Sequence, residues 1–198
     1  MTMECIRSAI AATLAGASLL SGSVSAATSD PPLLAAFKTF CMETQAVPDA
    51  VKAAVEAAGG VSPRPPAATD WPFHMTTQSW NLTLRGHRMM IGSGTMHTAA
   101  SGRTPAMDSL DCDIHGGPDD EAGLAAVADW IGVPVSSRDG DELTYYEFVE
   151  RDGRRVSVTE QDALRDLESG GFWTLVLIRF PSSASLQLVY SQESLDPR

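Results

Sequence analysis

Apolar positions recur along this chain with two different periods, and the change of period divides it. Leu33, Phe37, Phe40, Cys41 and Thr44 fall on one helical face, with Asp30-Pro31-Pro32 placed to cap and start the helix. Val47, Val51, Val55 and Ala58 repeat the pattern in a second helix that starts near Pro48 and stops at Gly59-Gly60. Residues 61–72 are rich in proline and read as a linker. The period then falls to two. Trp80, Leu82 and Leu84 alternate with Asn81, Thr83 and Arg85. Gly86-His87 reads as a two-residue turn, pairing Arg85 with Arg88, Leu84 with Met89, Leu82 with Ile91 and Trp80 with Ser93.

Residues 96–106 read as a polar loop, followed by a third strand. Leu110, Cys112 and Ile114 form its inner face; Asp111, Asp113 and His115 form its outer face. Gly116-Gly117-Pro118 turns into a helix led by Asp119, Asp120 and Glu121, with Leu124, Val127, Ala128 and Ile131 as its buried stripe and Gly132 and Pro134 at its end. A second hairpin pairs 142–150 with 154–158 through Asp152-Gly153, so Glu150 faces Arg155. Thr159 caps a short helix that ends at Gly170-Gly171. Phe172 to Phe180 is the densest apolar run and reads as a central strand, with Ser185 to Tyr190 returning beside it. The expected class is α+β: a mostly antiparallel sheet built from hairpins, with two N-terminal helices and two inserted helices.

The N-terminus changes the picture. Arg7, the apolar run from Ala9 to Leu20 and the small-residue site Val24-Ser25-Ala26 follow the plan of a cleavable secretory signal over residues 1–26. That run is broken by Thr13, Gly16 and Ser18, and it falls short of the ~20 apolar residues of a spanning helix. Residues 27–198 then form a single domain, in the periplasm or secreted. Cys5 is lost with the signal, and Cys41 and Cys112 remain to form one disulfide in an oxidising compartment. The net charge of −11 argues against nucleic acid as a partner.

Taken together, Phe37 to Cys41, the helix from Pro48 to Gly60, the single-cysteine strand Leu110 to Ile114 and the alanine-rich helix Glu121 to Ile131 resemble a set of short exported bacterial proteins of unknown function. The resemblance implies export, a disulfide and a single domain, and carries no activity.

Catalytic signatures are missing: there is no G-x-S-x-G, H-E-x-x-H, P-loop, C-x-x-C or dinucleotide fingerprint. No catalytic or cofactor-binding residue is therefore assigned, and no cofactor. The sharpest local feature is Asp111-Cys112-Asp113-Ile114-His115-Gly116. It echoes the start of a calcium loop, but Ala122 stands where the bidentate acid belongs. Asp111, Asp113 and His115 remain candidate ligands for a transition metal, completed by His87 or His97. The plainer reading is the polar outer face of a half-exposed strand. Ser93 or Ser101 with a histidine is the material for a small hydrolase. Trp71, Trp80, Trp130 and Trp173 read as core anchors, with Trp71-Pro72-Phe73 as a possible contact patch. Arg151, Arg154 and Arg155 read as a solvated hairpin tip.

The expectation is a non-enzymatic periplasmic accessory or binding protein with a protein or envelope partner and no membrane span in the mature chain. The alternatives are a metal-dependent binder or enzyme using Asp113 and His115, or a small hydrolase.

Overall fold

The computed structural model of the protein describes residues 29–63, 67–69, 74–102, 104–117 and 121–195. The signal segment 1–26, Trp71-Pro72-Phe73, Asp119 and Asp120 lie outside the described residues.

The chain opens with α1 (Pro32–Phe37), which widens into a π-helical turn over Lys38–Met42, followed by α2 (Pro48–Ala57). Pro31 precedes the first turn, and no side chain caps it. Asp30 does not cap α1 as the sequence suggested; it accepts from Lys38 Nζ at 2.9 Å. Leu34, Phe37, Phe40, Cys41, Val51 and Val55 are buried, as their spacing requires.

Nine strands follow: β1 (Ala67–Thr69), β2 (His74–Leu84), β3 (His87–Thr98), β4 (Met107–Gly117), β5 (Ser137–Asp139), β6 (Leu143–Arg151), β7 (Arg154–Ser157), β8 (Phe172–Phe180) and β9 (Ser183–Glu193). Between them lie α3 (Glu121–Ile131) and α4 (Glu160–Glu168). All nine strands join one antiparallel sheet in the order β1-β2-β3-β4-β9-β8-β6-β5, with β7 also paired to β6. The α+β expectation is thereby corrected: one continuous sheet dominates, and the helices are short accessories to it. The underestimate arose at the strand ends. Gly92–Thr98 and Ser183–Ser185 are small and polar, so they show no apolar alternation, yet the neighbouring ladders extend through them. Ala67–Thr69, inside the expected linker, pairs with Met75–Thr77 as an edge strand.

The first hairpin also differs. Its turn is Arg85-Gly86, both at positive φ (+50° and +82°), as in the turn whose twist best matches flanking strands. The register becomes Leu84↔His87, Leu82↔Met89 and Trp80↔Ile91. The slip is two residues, so every side chain keeps its face. The second hairpin turns at Asp152-Gly153 with Glu150 opposite Arg155, as read from the sequence. Arg151 and Arg154 at its tip are exposed, as expected, whereas Arg155 is partly buried. Arg155 lies 4.1 Å from the Trp130 ring centroid and donates to the Trp130 carbonyl at 2.9 Å, tying β7 to the end of α3. Arg151 pairs with the buried Asp166 at 2.9 Å.

The helix-bearing face of the sheet presents Trp80, Ile91, Cys112, Ile114, Leu175, Leu186 and Leu188 to α1, the π turn and α2. Val127 and Ile131 of α3 join this core, whereas Ala128 is exposed. At its centre Cys41 and Cys112 form a disulfide, with Cα atoms 5.5 Å apart. Among the described residues no helix is long and apolar enough to cross a membrane.

The disulfide spans 71 residues, and closing such a loop stabilises by about 4 kcal/mol in the chain-entropy model. Urea unfolding of the Cys41→Ala/Cys112→Ala variant is expected to show that loss. The same midpoint for the variant and the oxidised wild type would show that the bond contributes nothing.

Candidate functional site

β4 runs between β3 and β9, so its outer face is flanked on both sides. Alternation places Asp111, Asp113 and His115 on that face, opposite the helix-packed Cys112 and Ile114. β3 sets Gly94, Gly92 and Met90 against them; β9 sets Val189, Gln187 and Ser185. The glycines matter here. A Cβ on Gly92 would lie 2.1 Å from Asp113 Oδ1, so the carboxylate rests where a side chain would otherwise stand.

The cluster is internally bonded. Gln187 Nε2 donates to Asp111 Oδ1 at 2.9 Å. His115 Nε2 contacts Asp113 Oδ2, and His115 Nδ1 lies 2.7 Å from Ser185 Oγ. Burial, and then the neighbouring charge of Asp113, push the Asp111 carboxyl up to about 6. The bond to Asp113 holds His115 above its ordinary value, against the opposing effect of burial. The sequence indicated the β4 triplet but not Ser185 or Gln187. Their only signal is alternate placement on a return strand, which does not say what lies opposite.

The histidines do not converge. His87 and His97 occupy odd positions of β3, which share the helix-side face with Ile91, whereas His115 is on the other face. His97 Nδ1 instead lies 2.8 Å from Asp108 Oδ1, and Ser194 Oγ donates to Asp108 Oδ2 at 2.8 Å. Both ring nitrogens of His115 are already engaged within the sheet. Among the described residues no group of three or more His, Cys, Asp or Glu is placed to hold a metal ion. The serines named from sequence also lie elsewhere. Ser93 is buried on the helix side opposite Cys112, and Ser101 sits in an exposed turn bridged to Thr104.

His115 also lines a cleft of about 600 Å³ between the end of α2, the edge of β2 and the end of β3. Val61 and Met90 supply its exposed apolar groups, Arg88, Asn81 and Thr83 supply polar ones, and the buried Leu82 and Met89 lie behind it. One wall is a β-bulge, where the β4–β9 register skips Gly116. Gly116 has φ +97°, and a Cβ there would lie 2.7 Å from the Arg88 carbonyl oxygen, so only glycine fits. His115 is therefore half-exposed in the cleft and fastened from behind by Asp113 and Ser185.

Two outcomes follow from the cluster. A carboxyl raised from 3.8 to about 6 takes up a proton on folding, so its contribution is present below pH ~4 and is lost as pH rises through 6. His115, also raised, acts in the same direction at higher pH. Asp111→Asn removes the cost of the buried charge. It is expected to stabilise at pH 7.5 by up to about 3 kcal/mol and to be near neutral at pH 4. Thermal melts across that range check it; equal effects at both pH values would contradict the assignment. Gly92→Ala is expected to displace Asp113 and cost about 1–2 kcal/mol, much less in an Asp113→Ala background. A double-mutant cycle by urea unfolding measures that coupling.

Comparison with known proteins finds no matching family model, no similar curated protein and no similar solved structure.

Proposed function

We propose that this protein is an exported, non-enzymatic binding module, periplasmic or secreted, whose ligand occupies the cleft beside His115. Export is supported by Arg7, the apolar run and Val24-Ser25-Ala26. The disulfide is compatible with an oxidising compartment. The observation that carries the binding reading is the cleft itself. It has the volume of a small-molecule site and a wall of mixed character, with Met90 and Val61 beside Arg88, Asn81, Thr83 and His115.

The neighbouring chemistry favours holding over reacting. Asp113, His115 and Ser185 are connected in the order of a nucleophile relay. Ser185 is only 1% exposed, however, so its hydroxyl has no approach for a substrate carbonyl. The relay fixes the ring that lines the cleft. This weighs against the small-hydrolase reading, and the full engagement of His115 weighs against the metal-dependent one.

The test uses N-phenyl-1-naphthylamine, an uncharged apolar fluorophore. Saturable binding to one site is expected, weakened about tenfold or more by Met90→Glu. Phe180→Ser, at an exposed position outside the cleft, is expected to leave it unchanged. Absence of saturable binding, or indifference to Met90→Glu, would overturn the cleft as the ligand site.

A further inference from the structure

We propose that the ligand of this cleft is an amphiphile with an anionic head, its apolar part against Met90 and Val61 and its head at Arg88. The inference rests on the cleft being the binding site, and it adds the chemical class of what binds.

Charge is the first argument. The chain carries 25 acidic against 14 basic residues, yet the described residues lining the cleft include Arg88 and His115 and no carboxylate. Arg88 is also uncommitted. No ion pair among the described residues engages Arg88, as is also true of Lys52, Arg138 and Arg154, but of these only Arg88 lines the cleft. An exposed guanidinium beside the apolar Met90 and Val61 is a ready bidentate donor for a carboxylate or phosphate.

The other walls do not oppose an anion there. The C-terminal end of α2 faces the cleft through Ala58 and Gly59. Its last carbonyls are turned into local bonds, Gly60 N to Val55 O at 2.9 Å and Gly59 N to Glu56 O at 3.0 Å, which blunts the negative end of the helix. β2 brings Asn81 and Thr83, both neutral. On β4, Asp113 is held against His115, and Asp111 lies four residues from it, bonded to Gln187. His115 is thus engaged by Asp113, and Arg88 is the group left to meet a head. The apolar half is open: Met90 is 41% and Val61 68% exposed. Such surface gains from covering by an alkyl chain.

The experiment displaces N-phenyl-1-naphthylamine from the purified protein with decanoate, decanol and decyltrimethylammonium at pH 7.5. Decanoate is expected to compete at roughly tenfold lower concentration than decanol, with the cation weakest. Arg88→Gln is expected to abolish the difference between decanoate and decanol, read as the ratio of their competing concentrations on the same variant, and Arg88→Lys to retain part of it. Because Arg88 is exposed, both variants should fold, and thermal melts check that they do. If the fluorophore binds but decanoate and decanol compete equally, or the cation wins, the anionic-head inference is overturned and the cleft reading stands. If decanoate keeps its advantage in Arg88→Gln, the placement of the head is wrong. If the fluorophore does not bind at all, the cleft reading falls and this inference falls with it.

Discussion

Pairing of β4 with β9 joins two stretches of chain that fold around otherwise separate centres. β1 to β4 form one meander, and β8 with β9 form a hairpin that also carries β6. Gln187 and Asp111, 76 residues apart, meet only because these two strands lie side by side. The same ladder sets Leu186 beside Ile114 and Leu188 beside Cys112, which makes the helix-side core continuous across the junction. An antiparallel ladder satisfies both edges of β4, so a polar, acid-bearing strand can occupy the middle of a sheet.

That position has a cost on the opposite face. Two carboxylates two residues apart are flanked by strands on both sides, and burial makes the ionised form of Asp111 unfavourable. The structure offsets this locally. Gln187 donates to one carboxylate, His115 contacts the other, and Gly92 leaves the second carboxylate room. The strand is also fastened on its other side, where Cys112 is bonded to Cys41 of the π-helical turn. β4 is therefore restrained on both faces. Its bulge at Gly116, just beyond the restrained part, is where the ladder yields and the cleft opens.

The proposed binding function draws on this asymmetry. A rigid strand delivers His115 to the cleft in one orientation, and the carboxylates that would repel an anion are bonded within the sheet. Arg88 lies at the rim, its own carbonyl oxygen against the bulge glycine Gly116. Such an arrangement suits recognition. On the proposed reading, a cleft of mixed lining with Arg88 at its rim, unpaired among the described residues, selects by shape and charge without requiring any bond to be made or broken.

Local patterning determined much of this molecule. The helical faces of Phe37 to Cys41 and of Val51 and Val55, the period-two faces of β2 and β4, the Asp152-Gly153 turn and the Thr159 cap follow from spacing and side-chain chemistry, which act over a few residues. The Cys41–Cys112 bond was legible because reading residues 1–26 as a signal sets Cys5 aside and leaves one pairing. Tertiary structure decided the rest. The polar ends of β3 and β9 carry no apolar alternation, and they became strands because neighbours supplied hydrogen bonds. Whether His87 or His97 shared a face with His115 depended on the parity of the β3–β4 register, a property of two strands together. Ser185 and Gln187 joined the cluster through pairing across some seventy residues of chain. Residue type and local period specify which way a side chain points within its own strand; what stands beside it is set by which strands meet, and only the folded sheet decides that.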